Sequence, residues 1–133
     1  MTIDELLASS NWAEVFCESN SGGGVSDVVE TCPPGAVVDL TLPKRADVVE
    51  IIAASEDLPA SYDFNLWSGV GVFKLRDGRY LAASGWCDTT GWGCRAGNSL
   101  EVGHTLADVV TFGLSEDDRA KLGLGGDTNP QPA

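Results

Sequence analysis

Between residues 3 and 16 the apolar side chains recur at helical spacing: Ile3, Leu6 and Leu7, then Trp12, Val15 and Phe16. Thr2 with Glu5 forms a capping-box pattern, and Asn11 with Glu14 repeats it. The spacing predicts one kinked helix or two short ones, ending before Asn20. Ser21, Gly22, Gly23 and Gly24 form a flexible breaker. Beyond it the pattern turns to alternation. Val28 and Val29 read as extended, and so do residues 37–42, where Val38, Leu40 and Leu42 point one way and Asp39 and Thr41 the other. Residues 48–54 are β-branched and apolar and predict a strand.

Residues 71–75 alternate, Arg76, Asp77, Gly78 and Arg79 supply a turn, and residues 80–86 run back. Asp-Gly between two extended runs predicts a hairpin, because glycine accepts the positive φ such turns need. Residues 48–54 add a third antiparallel strand across a loop at residues 55–68. Near the end, Thr105 predicts a helix cap with Asp108 in the first turn and Leu106, Val109, Val110 and Phe112 buried. Gly113 breaks that helix. Ser115 caps another, whose first turn carries Glu116, Asp117 and Asp118 against the positive end of the dipole, with Lys121 in the last turn and Gly123 beyond. The expected fold is α+β: a small antiparallel β-sheet of about three to four strands with N- and C-terminal helices packed on one face. Residues 1–124 read as one domain and residues 125–133 as a disordered tail, since the tail has nothing to bury.

Composition supports a folded domain: 43% of the 133 residues are hydrophobic and 21% charged, which excludes disorder for the body of the chain. Charge narrows the partners. Twenty acidic against eight basic side chains give a net −12, scattered along the sequence, as on a solvated acidic surface. Nucleic acid and anionic lipid are therefore not expected partners, because each phosphate contact needs a lysine or arginine. No run approaches the ~18 apolar residues of a membrane span. The first residues also lack the basic and apolar regions of a secretory signal. The expected location is cytoplasmic, where Cys17, Cys32, Cys87 and Cys94 are thiols by default.

Residues 86–99 stand out. They hold two of the four tryptophans and two of the four cysteines among glycines and short polar residues. Two readings are open. In one, Trp86 ends its strand in the core, Trp92 lids it, and the glycines supply turn geometry. In the other, Trp92 with Asp88, Thr89, Thr90, Arg95 and Asn98 forms a contact surface, tryptophan and arginine being enriched at binding hot spots. Of the two indoles, Trp92 is the expected contact residue and Trp86 the expected core residue. Trp86, Cys87, Asp88, Thr90, Gly91, Trp92 and Cys94, followed by residues 105–124, resemble small acidic proteins of actinobacteria and their phages. The resemblance covers roughly the C-terminal half and leaves residues 1–45 outside. It implies an origin and a topology and assigns no catalytic residue.

Catalytic and metal chemistry find little support. Structural zinc sites use close cysteine pairs, whereas six residues separate Cys87 from Cys94 and fourteen separate Cys17 from Cys32. A Cys87–Cys94 disulfide fits the loop but not the expected compartment. The single histidine, His104, adjoins a helix cap, and no motif joins it to Cys87 and Asp88 as a nucleophile–base pair. Phosphate-loop, dinucleotide and H-E-x-x-H signatures are absent from the sequence. The expectation is therefore not an enzyme, with no cofactor and no metal. The chain reads as a non-catalytic modulator, phage- or mobile-element-encoded, acting on a protein partner in the host cytoplasm. The alternatives are a virion accessory or assembly protein, and a metal- or small-ligand-binding protein.

Overall fold

The computed structural model describes residues 1–18, 29–35, 42–57, 66–88 and 95–124. They form an α+β domain around a mixed five-stranded sheet. Its strands are β1 (Val29–Cys32), β2 (Val48–Asp57), β3 (Leu66–Leu75), β4 (Tyr80–Asp88) and β5 (Arg95–Gly103), in the order β1-β5-β4-β3-β2. The four later strands make an antiparallel meander, and β1 joins its far edge parallel to β5. Four helices complete the fold: α1 (Ile3–Ala8), α2 (Ser10–Val15), α3 (Leu106–Phe112) and α4 (Glu116–Leu122). No described helix is long and apolar enough to cross a membrane.

The expected hairpin is present. Gly78 adopts φ +94°, the Leu75 amide donates to the Arg79 carbonyl at 2.8 Å, and Asp77 accepts from both the amide and the Nε of Arg79. Residues 48–54 lie in the strand β2, which pairs antiparallel to β3 as anticipated and extends further, to Asp57. At the N-terminus Thr2 and Glu5 form the capping box. The second cap is Ser9 rather than Asn11: its Oγ accepts from the Trp12 amide at 3.1 Å. Thr105 and Ser115 cap α3 and α4, and Gly123 closes α4 at φ +72°. The breaker at residues 21–24, most of the stretch at 37–42, and the tail at 125–133 lie outside the described residues.

Two expectations about architecture need correction. The sheet has five strands, not three to four, and is mixed rather than antiparallel throughout, because residues 95–103 pair along β4 and residues 29–32 run parallel to β5. The helices do not share one face. Trp67, Phe73, Leu75, Leu81, Ala83, Leu100 and Val102 project toward α1 and α2, where they meet Leu6, Trp12, Val15 and Phe16. Their strand neighbours Val70, Val72 and Ala82 project the other way, joining Cys32, Val109 and Leu114 under α3 and α4. Side chains alternate along a strand, so central strands that carry apolar side chains on both faces call for a cover on each side.

The first core is aromatic. Trp12 stands edge-on to both Trp67 and Phe73, with 5.7 Å between ring centroids in each pair, and Phe16 meets Phe73 at the same separation. Glycine makes room for these rings. A Cβ at Gly69 would lie 2.6 Å from the Trp67 ring, and one at Gly71 equally close to Phe73. The Glu56 carboxylate accepts from the indole N–H of Trp12 at 3.2 Å and of Trp67 at 3.3 Å, tying α2 to the β2–β3 pair.

An arginine secures the end of each helix pair. Arg45 donates to the carbonyls of Leu6, Leu7 and Ser9 and pairs with Glu18 at 2.8 Å. Arg119 donates to the carbonyls of Val110, Thr111 and Leu114. Both satisfy carbonyls that a helix leaves unbonded at its C-terminus.

Candidate functional site

Alternation along β4 puts Tyr80, Ala82, Ser84 and Trp86 on the face that carries α3 and α4. The pairing register then places their neighbours. Trp86 sits opposite Ser68 on β3 and Gly97 on β5, and Ser68 sits opposite Asp57 on β2. The next row on this face is Ser55, Val70, Ser84 and Ser99. Directly paired residues share a face, so these rows form a continuous surface, with adjacent strands about 4.8 Å apart. The core beneath α3 and α4 gathers Cys32, Val70, Val72 and Ala82, and Trp86 lies at the opposite end of β4 from Tyr80.

Trp86 is 45% exposed, which overturns its expected place in the core. Its indole reaches over Gly97: a Cβ there would come within 2.9 Å of Nε1 and 3.2 Å of Cζ2. Only a residue without a side chain leaves that space. Trp12 and Trp67, by contrast, are buried on the opposite face. Phe112 of α3, expected in the core, is likewise exposed, because Val109 and Val110 form the buried side of that short helix.

The electrostatic setting is acidic. Glu101 is opposite Ala82 on β4 and Glu30 on β1, and its carboxyl is held above the ordinary range, chiefly by burial and also by the Glu30 charge. The Ser99 hydroxyl, which donates to Glu101 Oε2 at 3.1 Å, acts in the opposite sense. Burial, followed by the negative charges of Glu101, Asp108 and Glu30, pushes the Cys32 thiol up to about 12. A thiol so fully protonated at neutral pH is not a nucleophile. Asp57 pairs with Lys121 of α4 at 3.0 Å.

The residues singled out in the sequence separate in space. Asn98 faces the other side of the sheet, where its Nδ2 donates to the Val15 carbonyl at 2.9 Å and to Cys17 Sγ at 3.3 Å. It thus engages the end of α2, away from Trp86. Asp88 and Arg95 are register partners at the end of the β4–β5 pair. Thr89, Thr90 and Trp92 lie outside the described residues, as does Cys94. Cys32 is a free thiol. Among the described residues, no group of three or more His, Cys, Asp or Glu side chains is placed to hold a metal ion. His104 lies in the exposed turn between β5 and α3. Strand parity could have marked Trp86: once Leu81 and Ala83 face α1 and α2, Trp86 must face the other way.

Comparison with protein-family models, curated proteins and solved structures finds no match to this chain.

Proposed function

We propose that this protein is a non-catalytic binding domain that engages a protein partner through the sheet face bearing Trp86 and so modulates that partner. The observation that carries this reading is the exposure of the Trp86 indole in a fold whose other described tryptophans, Trp12 and Trp67, are buried. An exposed tryptophan forfeits apolar burial, and tryptophan is the residue most enriched where partners bind. Ser68, Ser84 and Ser99 around it add hydroxyls that donate and accept. Thr89, Thr90 and Trp92 lie between Trp86 and Gly97 in the sequence, so they belong to the same proposal. An origin in a phage or mobile element, with action in the host cytoplasm, completes the reading.

The test is affinity capture from the native host with wild-type protein, Trp86→Ala and Trp92→Ala, each first shown by circular dichroism to be folded. A specific partner retained by wild type and lost from Trp86→Ala supports the reading. A partner set unchanged by both substitutions removes it.

A further inference from the structure

Asp77 and Gly78 form the one Asp-Gly step in the sequence, and there is no Asn-Gly step. Such a step is open to a reaction of its own. Glycine puts no side chain in the way when its amide nitrogen attacks the preceding side-chain carboxyl. The N–Cγ bond forms as the amide proton and the carboxyl hydroxyl leave together as water, closing a succinimide. Water then adds back, and ring opening at the main-chain carbonyl leaves the backbone running through the aspartate Cβ as isoaspartate. Neither stage needs an oxidant or a reductant. Both residues are exposed, so solvent reaches the step.

The folded turn opposes this chemistry at each atom that must react. The Gly78 amide donates to the Leu75 carbonyl at 3.0 Å, which occupies the proton the attack must lose. One Asp77 oxygen accepts from the Arg79 amide at 3.0 Å and the other from Arg79 Nε at 2.7 Å. A carboxylate clamped at both oxygens does not rotate to present Cγ to the Gly78 nitrogen, and it has no hydroxyl to lose. Arg76 pins the turn from its other side, its amide on the Asp47 carbonyl and its guanidinium on the Ala46 carbonyl. Arg79 is also the only charged side chain that is buried among the described residues, while the Asp77 side chain is 49% exposed. An ion pair that open to water adds little stability. We propose that Asp77 is the isomerisation site of this protein and that Arg79 is its guard, holding the carboxylate away from the Gly78 nitrogen. The turn closes with the Leu75 amide on the Arg79 carbonyl and Gly78 at φ +94°. An added backbone atom breaks that closure, so isomerisation unpicks the end of the β3–β4 pair.

Ageing the folded protein in mildly acidic buffer, with isoaspartate at position 77 read by electron-transfer mass spectrometry of a chymotryptic peptide, tests this. Wild type should isomerise slowly when folded and faster in urea. Arg79→Ala should speed the folded protein about ten-fold, the scale of one lost charge-assisted hydrogen bond. Arg79→Lys keeps a cation without the guanidinium fork and should fall between. Gly69→Ala disturbs the core away from the turn and should stay near the wild-type rate. Circular dichroism shows which variants are folded, and if Arg79→Ala is not, Arg79→Lys against Gly69→Ala decides. Arginine-79 variants that age at the wild-type rate overturn the guard. So does Gly69→Ala ageing as fast as they do, since global opening then accounts for the reaction. Absence of isoaspartate at position 77 even in urea overturns the site.

Discussion

Single residues in this protein do work that their sequence context conceals. Glu56 is one of twenty acids, yet its carboxylate receives two indole N–H groups from different elements. Glu56→Ala should cost about 1–3 kcal/mol in urea unfolding, because it leaves part-buried donors without a partner. Glu56→Gln keeps a carbonyl acceptor and should cost less. Gly69→Ala should be destabilising by about 1–3 kcal/mol, since the new methyl meets the Trp67 ring inside a packed core. Glu101 and Cys32 carry the pH signature. The Glu101 carboxyl is raised, so the unfolded chain releases its proton first, and this group lowers stability as pH rises through the carboxylate range. Glu101→Gln should therefore stabilise the fold at neutral pH, with the gain vanishing in acid. Cys32 behaves in the same sense from pH 9 upward, toward its folded value of about 12. In native protein its thiol should resist alkylation at pH 8, and urea should restore the reaction.

Whole elements show what the sequence reveals and what it hides. The β3–β4 hairpin and the caps of α1, α3 and α4 are legible because each depends on residues a few positions apart: Asp77 with Gly78, Thr2 with Glu5, Thr105 with Asp108, Ser115 with Asp118. β5 is not legible in the same way. Its first half, Arg95, Ala96, Gly97, Asn98 and Ser99, has the composition of a turn and becomes a strand only through its partners on β4. The opposite placement of the two helix pairs is hidden for a similar reason. Val70 and Val72 alternate with glycines and Phe73, so both faces of β3 are compatible with burial, and local pattern alone does not choose between one cover and two. Of the candidate site, composition alone marks residues 86–99, but it sets Trp86 in the core, whereas its indole is exposed. The arginine clamps belong to this scale too. Arg119→Ala removes three bonds to carbonyls at the end of α3 and should cost about 1–2 kcal/mol in thermal or urea unfolding. Arg119→Lys should recover only part of that, because an ammonium lacks the planar fork of the guanidinium.

At the scale of the molecule, a net −12 with most described cations held internally yields a surface that repels anions and attracts cations. Caesium should quench the tryptophan emission more strongly than iodide, and the difference should shrink in Trp86→Phe. Equal quenching by the two ions would contradict the charge picture, and an unchanged difference in the variant would contradict the exposure of Trp86. The strand order has one more consequence. The four strands from β2 to β5 follow one another along the chain and zip together by short steps, whereas β1 precedes them all and pairs with the last. Its four residues lie about seventy positions from their partners in sequence. That seam is the costliest in loop closure and the shortest in hydrogen bonds, so it should be the place where the native state opens first. Amide protons of Glu30 and Thr31 should exchange with solvent ahead of those at the centre of β4, the sheet fraying from this margin while its middle stays shut.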